Sequence, residues 1–117
     1  MNFPVLNKKV AFANGEFGGM LLTPEHMNPP QKEWAPGKCH GYLTANTPDE
    51  WNTNFESFLM MITEPEKGGF RNRGLSASVY TQLTDTETEC NGIFSYDRIL
   101  KGNASLILAA ARSLTAV

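Results

Sequence analysis

Read as apolar and polar positions, the chain first organises itself at Val10-Ala11-Phe12-Ala13, a short apolar run bounded by Lys8-Lys9 and Asn14-Gly15. An unbroken apolar run suits a strand covered on both faces, because a strand with one wet face alternates instead. The pattern predicts a first strand over 9–13. From Thr23 to Asn46 the apolar positions lose any period, and Pro24, Pro29, Pro30, Pro36, Gly37 and Gly41 recur. Proline removes a backbone donor and glycine loosens the chain, so 23–46 is expected to be a long Pro/Gly-rich loop. A loop of that length in a compact domain either carries function or argues against the assignment.

The strongest local signal follows. Thr47-Pro48-Asp49-Glu50 places a capping hydroxyl before a helix, proline at its first position and an acid at its third. Trp51, Phe55, Phe58, Leu59 and Ile62 then recur at helical spacing and form one apolar stripe, which predicts a helix over 48–63 with a packing face. Pro65, Gly68 and Gly69 end it. Leu75 to Leu83 is rich in β-branched and aromatic residues and predicts a second strand over 75–83. Asn103 is placed to cap a last helix over 104–114, with Leu106, Ile107, Ala110 and Leu114 on one side. Strands alternating with helices imply an α/β fold with a right-handed crossover and a parallel sheet. Two strands are too few for such a sheet to stand alone.

Composition narrows the partners. With 117 residues, 41% hydrophobic and 19% charged, the chain is one globular domain at most. A formal net charge of −2 without a Lys/Arg run lacks the footprint of a nucleic-acid binder. No stretch approaches the roughly eighteen apolar residues of a membrane span. Met1 to Lys9 has no apolar core of an export signal, so no such signal is expected there and the compartment stays open. His26, Cys39, His40 and Cys90 are ligand-competent, but their spacing matches no metal-binding pattern, so no metal and no cofactor are expected. Two reduced, incidental thiols are the expectation for the cysteines.

The polar chemistry gathers at the ends of the two strands. Glu16 lies just beyond the first, in Asn14-Gly15-Glu16-Phe17-Gly18-Gly19, where catalytic groups project in α/β folds. The second ends in Tyr80-Thr81-Gln82 and runs into Asp85, Glu87 and Glu89. Aromatic faces with carboxylates and amides suit sugars, the rings covering C–H surfaces and the polar groups taking hydroxyls. Trp34 and Tyr42 in the long loop are either further sugar contacts or loop anchors, and Tyr80 is either a contact or a core tyrosine. Asp97 and Arg98 are expected to form a structural ion pair near the last helix.

The stretch Gly74 to Asp85, continuing through Glu87, Glu89, Asn91-Gly92 and Tyr96-Asp97-Arg98, resembles the last barrel strand of family 2 glycoside hydrolases, the group of β-galactosidases, β-mannosidases and β-glucuronidases. Val10 to Gly19 is similar to that family's penultimate strand. The stretch departs from the family pattern at Thr86 and Cys90, where apolar residues are usual. The resemblance implies an incomplete (β/α)₈ barrel fragment, the last two βα units of a C-terminal catalytic portion, and a single partial domain over 1–117. It implies that Glu16 is the nucleophile of a retaining mechanism acting on a β-glycoside and facing Tyr80 and Gln82; these two, with Trp34 by its residue type in the long loop, are the expected substrate contacts. In this family the second carboxylic acid comes from an Asn-Glu pair, and no Asn-Glu dipeptide occurs in the chain. Glu87 and Glu89 receive no acid/base role. A whole barrel takes about 250 residues, so the chain alone is expected to be inactive, its partners being the upstream barrel portion or a second copy paired through open sheet edges. The alternative is a non-catalytic carbohydrate-binding or protein-pairing module, which does not need the missing acid.

Overall fold

The computed structural model describes residues 10–115. The segment 1–9, where no export signal is expected and where the predicted first strand begins, lies outside them.

The first strand, β1 (Phe12–Gly18), runs further than its apolar core because Asn14 and Gly15 continue the extended backbone. It pairs in parallel with β4 (Leu75–Thr81). Asn14 faces Ser78 and Phe17 faces Tyr80, so three steps on β1 match two on β4. The extra residue is absorbed as a bulge at Gly15-Glu16. Gly18 and Gly19 then adopt φ of +96° and +64° and end the strand. The fully buried run β2 (Met20–Leu22) follows and pairs in parallel with β3 (Leu43–Ala45).

This arrangement overturns the expected fold class. In place of an incomplete barrel fragment built from two βα units, the described residues form two separate two-stranded parallel sheets, β1–β4 and β2–β3, with two helices. The physical reason lies in 18–45. The positive-φ glycines divide one continuous run into two strands, and a strand emerges from the end of the segment expected to be loop. Three-residue strands are too short to show a period, so neither β2 nor β3 announces itself in the sequence.

The first helix, α1 (Pro48–Thr63), starts where the cap signal places it. Thr47 Oγ1 accepts from the Glu50 N–H at 3.1 Å, and Glu50 Oε2 accepts from the Asn46 N–H at 2.7 Å. Its stripe supplies the core: Trp51, Phe55, Leu59 and Ile62 are buried together with Met20, Leu22, Met27, Ala45 and Leu75. Trp51 stacks on Phe55 with ring centroids 5.1 Å apart. Truncating so large a buried ring costs about 3–5 kcal/mol. The second helix, α2 (Ala104–Thr115), is capped by Asn103, whose Oδ1 accepts from the Leu106 N–H at 3.1 Å. Leu106, Ile107, Ala110 and Leu114 pack half-buried against that core.

Candidate functional site

The bulge in β1 sets the position of Glu16. It leaves this carboxylate exposed, with its backbone N–H donating to Asn14 Oδ1 at 3.3 Å. The next residue turns the other way: Phe17 meets Tyr80 edge-on, with centroids 5.4 Å apart at 89°, and Tyr80 in turn contacts Phe55 at 5.3 Å. Glu16 is therefore carried by a residue locked into the packing between the sheet and α1. Gly18 and Gly19 extend this close fit, because a Cβ on Gly18 would strike the Tyr80 ring and one on Gly19 the Tyr42 ring.

Tyr80 is half-buried, and its hydroxyl is enclosed without a hydrogen bond. Burial pushes the phenol well above the usual tyrosine range, with the nearby Met20 backbone opposing it more weakly. Its ring thus serves packing. Gln82, just past β4, is tied into the following loop: its N–H donates to the Asn91 carbonyl at 3.3 Å, its carbonyl accepts from the Ile93 N–H at 2.9 Å, and its side-chain amide donates to the Glu89 carbonyl at 3.4 Å. Trp34 is 58% exposed, with its ring 5.1 Å from that of Tyr96 and tilted by 40°. Tyr42 is exposed over Gly19.

A buried polar network braces the loop after β4. Lys101 Nζ donates to Asp85 Oδ1 and to the Cys90 carbonyl, both at 2.7 Å, and Asp85 Oδ1 also accepts from the Gly92 N–H at 2.8 Å. Burial pushes the Asp85 carboxyl up and the Lys101 ammonium down, while their mutual attraction opposes both shifts. The expected Asp97–Arg98 ion pair does not form; Arg98 Nη1 donates instead to the Tyr96 carbonyl at 2.8 Å. The expectation of two free thiols is also corrected, because Cys39 and Cys90 are joined in a disulfide that ties the long loop to the loop after β4. His40 Nε2 lies 3.8 Å from Glu89 Oε1, both largely exposed, a contact of small energetic consequence.

Three features escaped sequence reasoning. Tyr96 sits in the Tyr-Asp-Arg triplet, and its partnership with Trp34 crosses 62 positions without a local trace. Lys101 between Leu100 and Gly102 has the look of a surface lysine. The cysteine pairing depends on two loops meeting, which spacing does not encode. Among the described residues no group of three or more His, Cys, Asp or Glu side chains is placed to hold a metal ion, and no helix is long and apolar enough to cross a membrane. No protein-family model and no curated protein matches the chain.

Proposed function

We propose that the chain is part of a retaining β-glycoside hydrolase of the family 2 type, with Glu16 as its nucleophile, and that it needs a second polypeptide portion for turnover. The observation that carries this is the exposed Glu16 carboxylate, carried on a bulge within β1 one residue before the Phe17–Tyr80 contact, rather than beyond the strand as the apolar run suggests. A free carboxylate on a rigid strand suits attack on an anomeric carbon. The step forms a glycosyl ester and breaks the glycosidic bond, and a second carboxylic acid roughly 5 Å away protonates the departing oxygen. The residue series from Gly74 to Arg98 supports the same assignment by its likeness to family 2 hydrolases.

The test is complementation. Co-expression with the portion of a family 2 hydrolase that carries the Asn-Glu acid should yield β-glycosidase activity that Glu16→Gln abolishes. A 2-fluoro β-glycoside should label Glu16 in that complex. A label on Glu87 or Glu89 with Glu16 unmodified refutes the nucleophile assignment.

One observation favours the non-catalytic alternative. The Trp34–Tyr96 pair is a partly exposed aromatic contact, and a sugar-binding module would use it without an acid. Specific sugar binding combined with failure of every complementation would select that reading.

A further inference from the structure

We propose that Asn14-Gly15 is a site of spontaneous covalent modification, where the backbone nitrogen of Gly15 closes on the Asn14 side chain and slowly rewrites β1 just before Glu16. The reaction is independent of the function proposed for that carboxylate. The dipeptide Asn-Gly occurs twice in the chain, at Asn14-Gly15 and Asn91-Gly92. It suits this chemistry because glycine carries no Cβ to shield its nitrogen or restrict the approach. At the first copy, Asn14 Oδ1 accepts from the Glu16 N–H at 3.3 Å, which folds the side chain back along its own backbone and draws electrons from Cγ. Gly15 is exposed, falls in the register gap between the Asn14–Ser78 and Phe17–Tyr80 pairs, and has open space at its Cβ position.

Solvent water or hydroxide takes the Gly15 amide proton, and the nitrogen forms a bond to Asn14 Cγ. The Cγ–Nδ2 bond breaks, Nδ2 leaves as ammonia, and a cyclic imide remains; nothing is oxidised or reduced. Water then opens either imide carbonyl, leaving aspartate or its β-linked isomer at position 14. Either product adds a negative charge close to Glu16 in a chain whose formal net charge is already −2. The β-linked product also inserts a methylene into the backbone of β1, which displaces the register of the strand against β4. The second copy is locked. Asn91 is 2% exposed and its Oδ1 accepts no hydrogen bond among the described residues. The Gly92 N–H is held by Asp85 Oδ1 at 2.8 Å, and the backbone of Thr84, Asp85 and Phe94 crowds this glycine. Attack there requires the loop after β4 to open first.

The two copies serve as controls for each other. The full-length chain is incubated at mildly alkaline pH, native and in urea, and then digested with trypsin. Mass spectrometry of the peptides 10–32 and 74–98, which carry one Asn-Gly each, follows the exchange of amide for acid. Asn28 in the first peptide precedes Pro29, which lacks the amide proton the step needs. In the native chain Asn14 should convert faster than Asn91 by about tenfold or more, and in urea the two rates should converge. An isoaspartate-specific methyltransferase should label position 14 and leave position 91 unlabelled in the native chain. Gly15→Ala should slow the native conversion by about tenfold with the melting temperature unchanged, because the added methyl shields the nitrogen and narrows its approach. Three outcomes overturn the proposal: native Asn91 converting as fast as Asn14, an intact native Asn14 over a period in which urea converts both, or equal rates in Gly15→Ala and the parent.

Discussion

Lys101 Nζ lies 2.7 Å from Asp85 Oδ1, and neither side chain reaches solvent. The lysine also donates to the Cys90 carbonyl, so one ammonium joins the start of the loop after β4 to its middle. Removing one member of a buried pair leaves the other charge desolvated and alone, which costs about 3–5 kcal/mol, whereas replacing both by apolar groups of similar volume is close to neutral. Lys101→Met should therefore lower the unfolding free energy by that amount, and Lys101→Met with Asp85→Leu should recover much of it. Urea denaturation of the three proteins checks this. A double variant as unstable as the single one would show that the Gly92 N–H and Cys90 carbonyl, rather than the charge balance, need these partners.

Tyr80 gives a stability prediction at alkaline pH. Its phenol is raised by burial in the folded chain, while an unfolded tyrosine ionises near pH 10. Below that pH both states keep the proton and the group has no effect. As pH rises further the unfolded chain releases a proton that the folded chain retains, so stability falls by about 1.4 kcal/mol per pH unit from this group. Tyr80→Phe should remove that slope. Near neutrality it should stay within about 1 kcal/mol of the parent, because the hydroxyl it deletes is enclosed with at most a weak contact to the Met20 backbone. Equal slopes between about pH 9 and 11 for the two proteins would refute the assignment.

Both helices were legible in the sequence for reasons that are local. Thr47, Pro48 and Glu50 act within one turn, and the stripe from Trp51 to Ile62 is one face of one helix. Leu75 to Thr81 was legible as a strand through its β-branched and aromatic content. What stayed hidden depends on long-range meetings: β2 with β3, Cys39 with Cys90, Lys101 with Asp85, Trp34 with Tyr96. No propensity or period records such pairs. At the candidate site, the sequence shows a carboxylate at Glu16 following an apolar run. The bulge that exposes it was not legible, since it appears only as a mismatch of register against β4.

Gly18 is a sharper test of that strand end than Glu16, because two constraints meet there. Its φ of +96° disfavours any side chain, and a Cβ would run into the Tyr80 ring. Gly15, three positions earlier, has open space around its Cβ position and carries no positive φ. Gly18→Ala should therefore lose about 1–3 kcal/mol and shift the Tyr80 ring, while Gly15→Ala should be near neutral. Thermal melts monitored by near-ultraviolet circular dichroism report both. Equal losses for the two variants would mean that strand conformation, not contact with Tyr80, sets the requirement.

The disulfide supplies the last prediction. Cys39 and Cys90 are 51 positions apart, and closing a loop of that size restricts the unfolded chain by about 4 kcal/mol in the chain-entropy treatment. Cys39→Ala removes the link while leaving Cys90, which is 1% exposed, as a small buried thiol that still presents its carbonyl to Lys101. The variant should unfold at lower urea with a loss near that value. Its Cys90 should react slowly with iodoacetamide in the native state and quickly in denaturant. The long loop would then be held to the loop after β4 by the backbone bonds of His40, whose N–H donates to the Thr88 carbonyl at 2.9 Å and whose carbonyl accepts from the Cys90 N–H at 3.2 Å. Trp34 should consequently become more open to acrylamide in the variant and in the reduced parent, while the emission of buried Trp51 stays fixed. An unchanged Trp34 signal in both would show that those two backbone bonds suffice to hold the loop and that the disulfide acts on the unfolded chain alone.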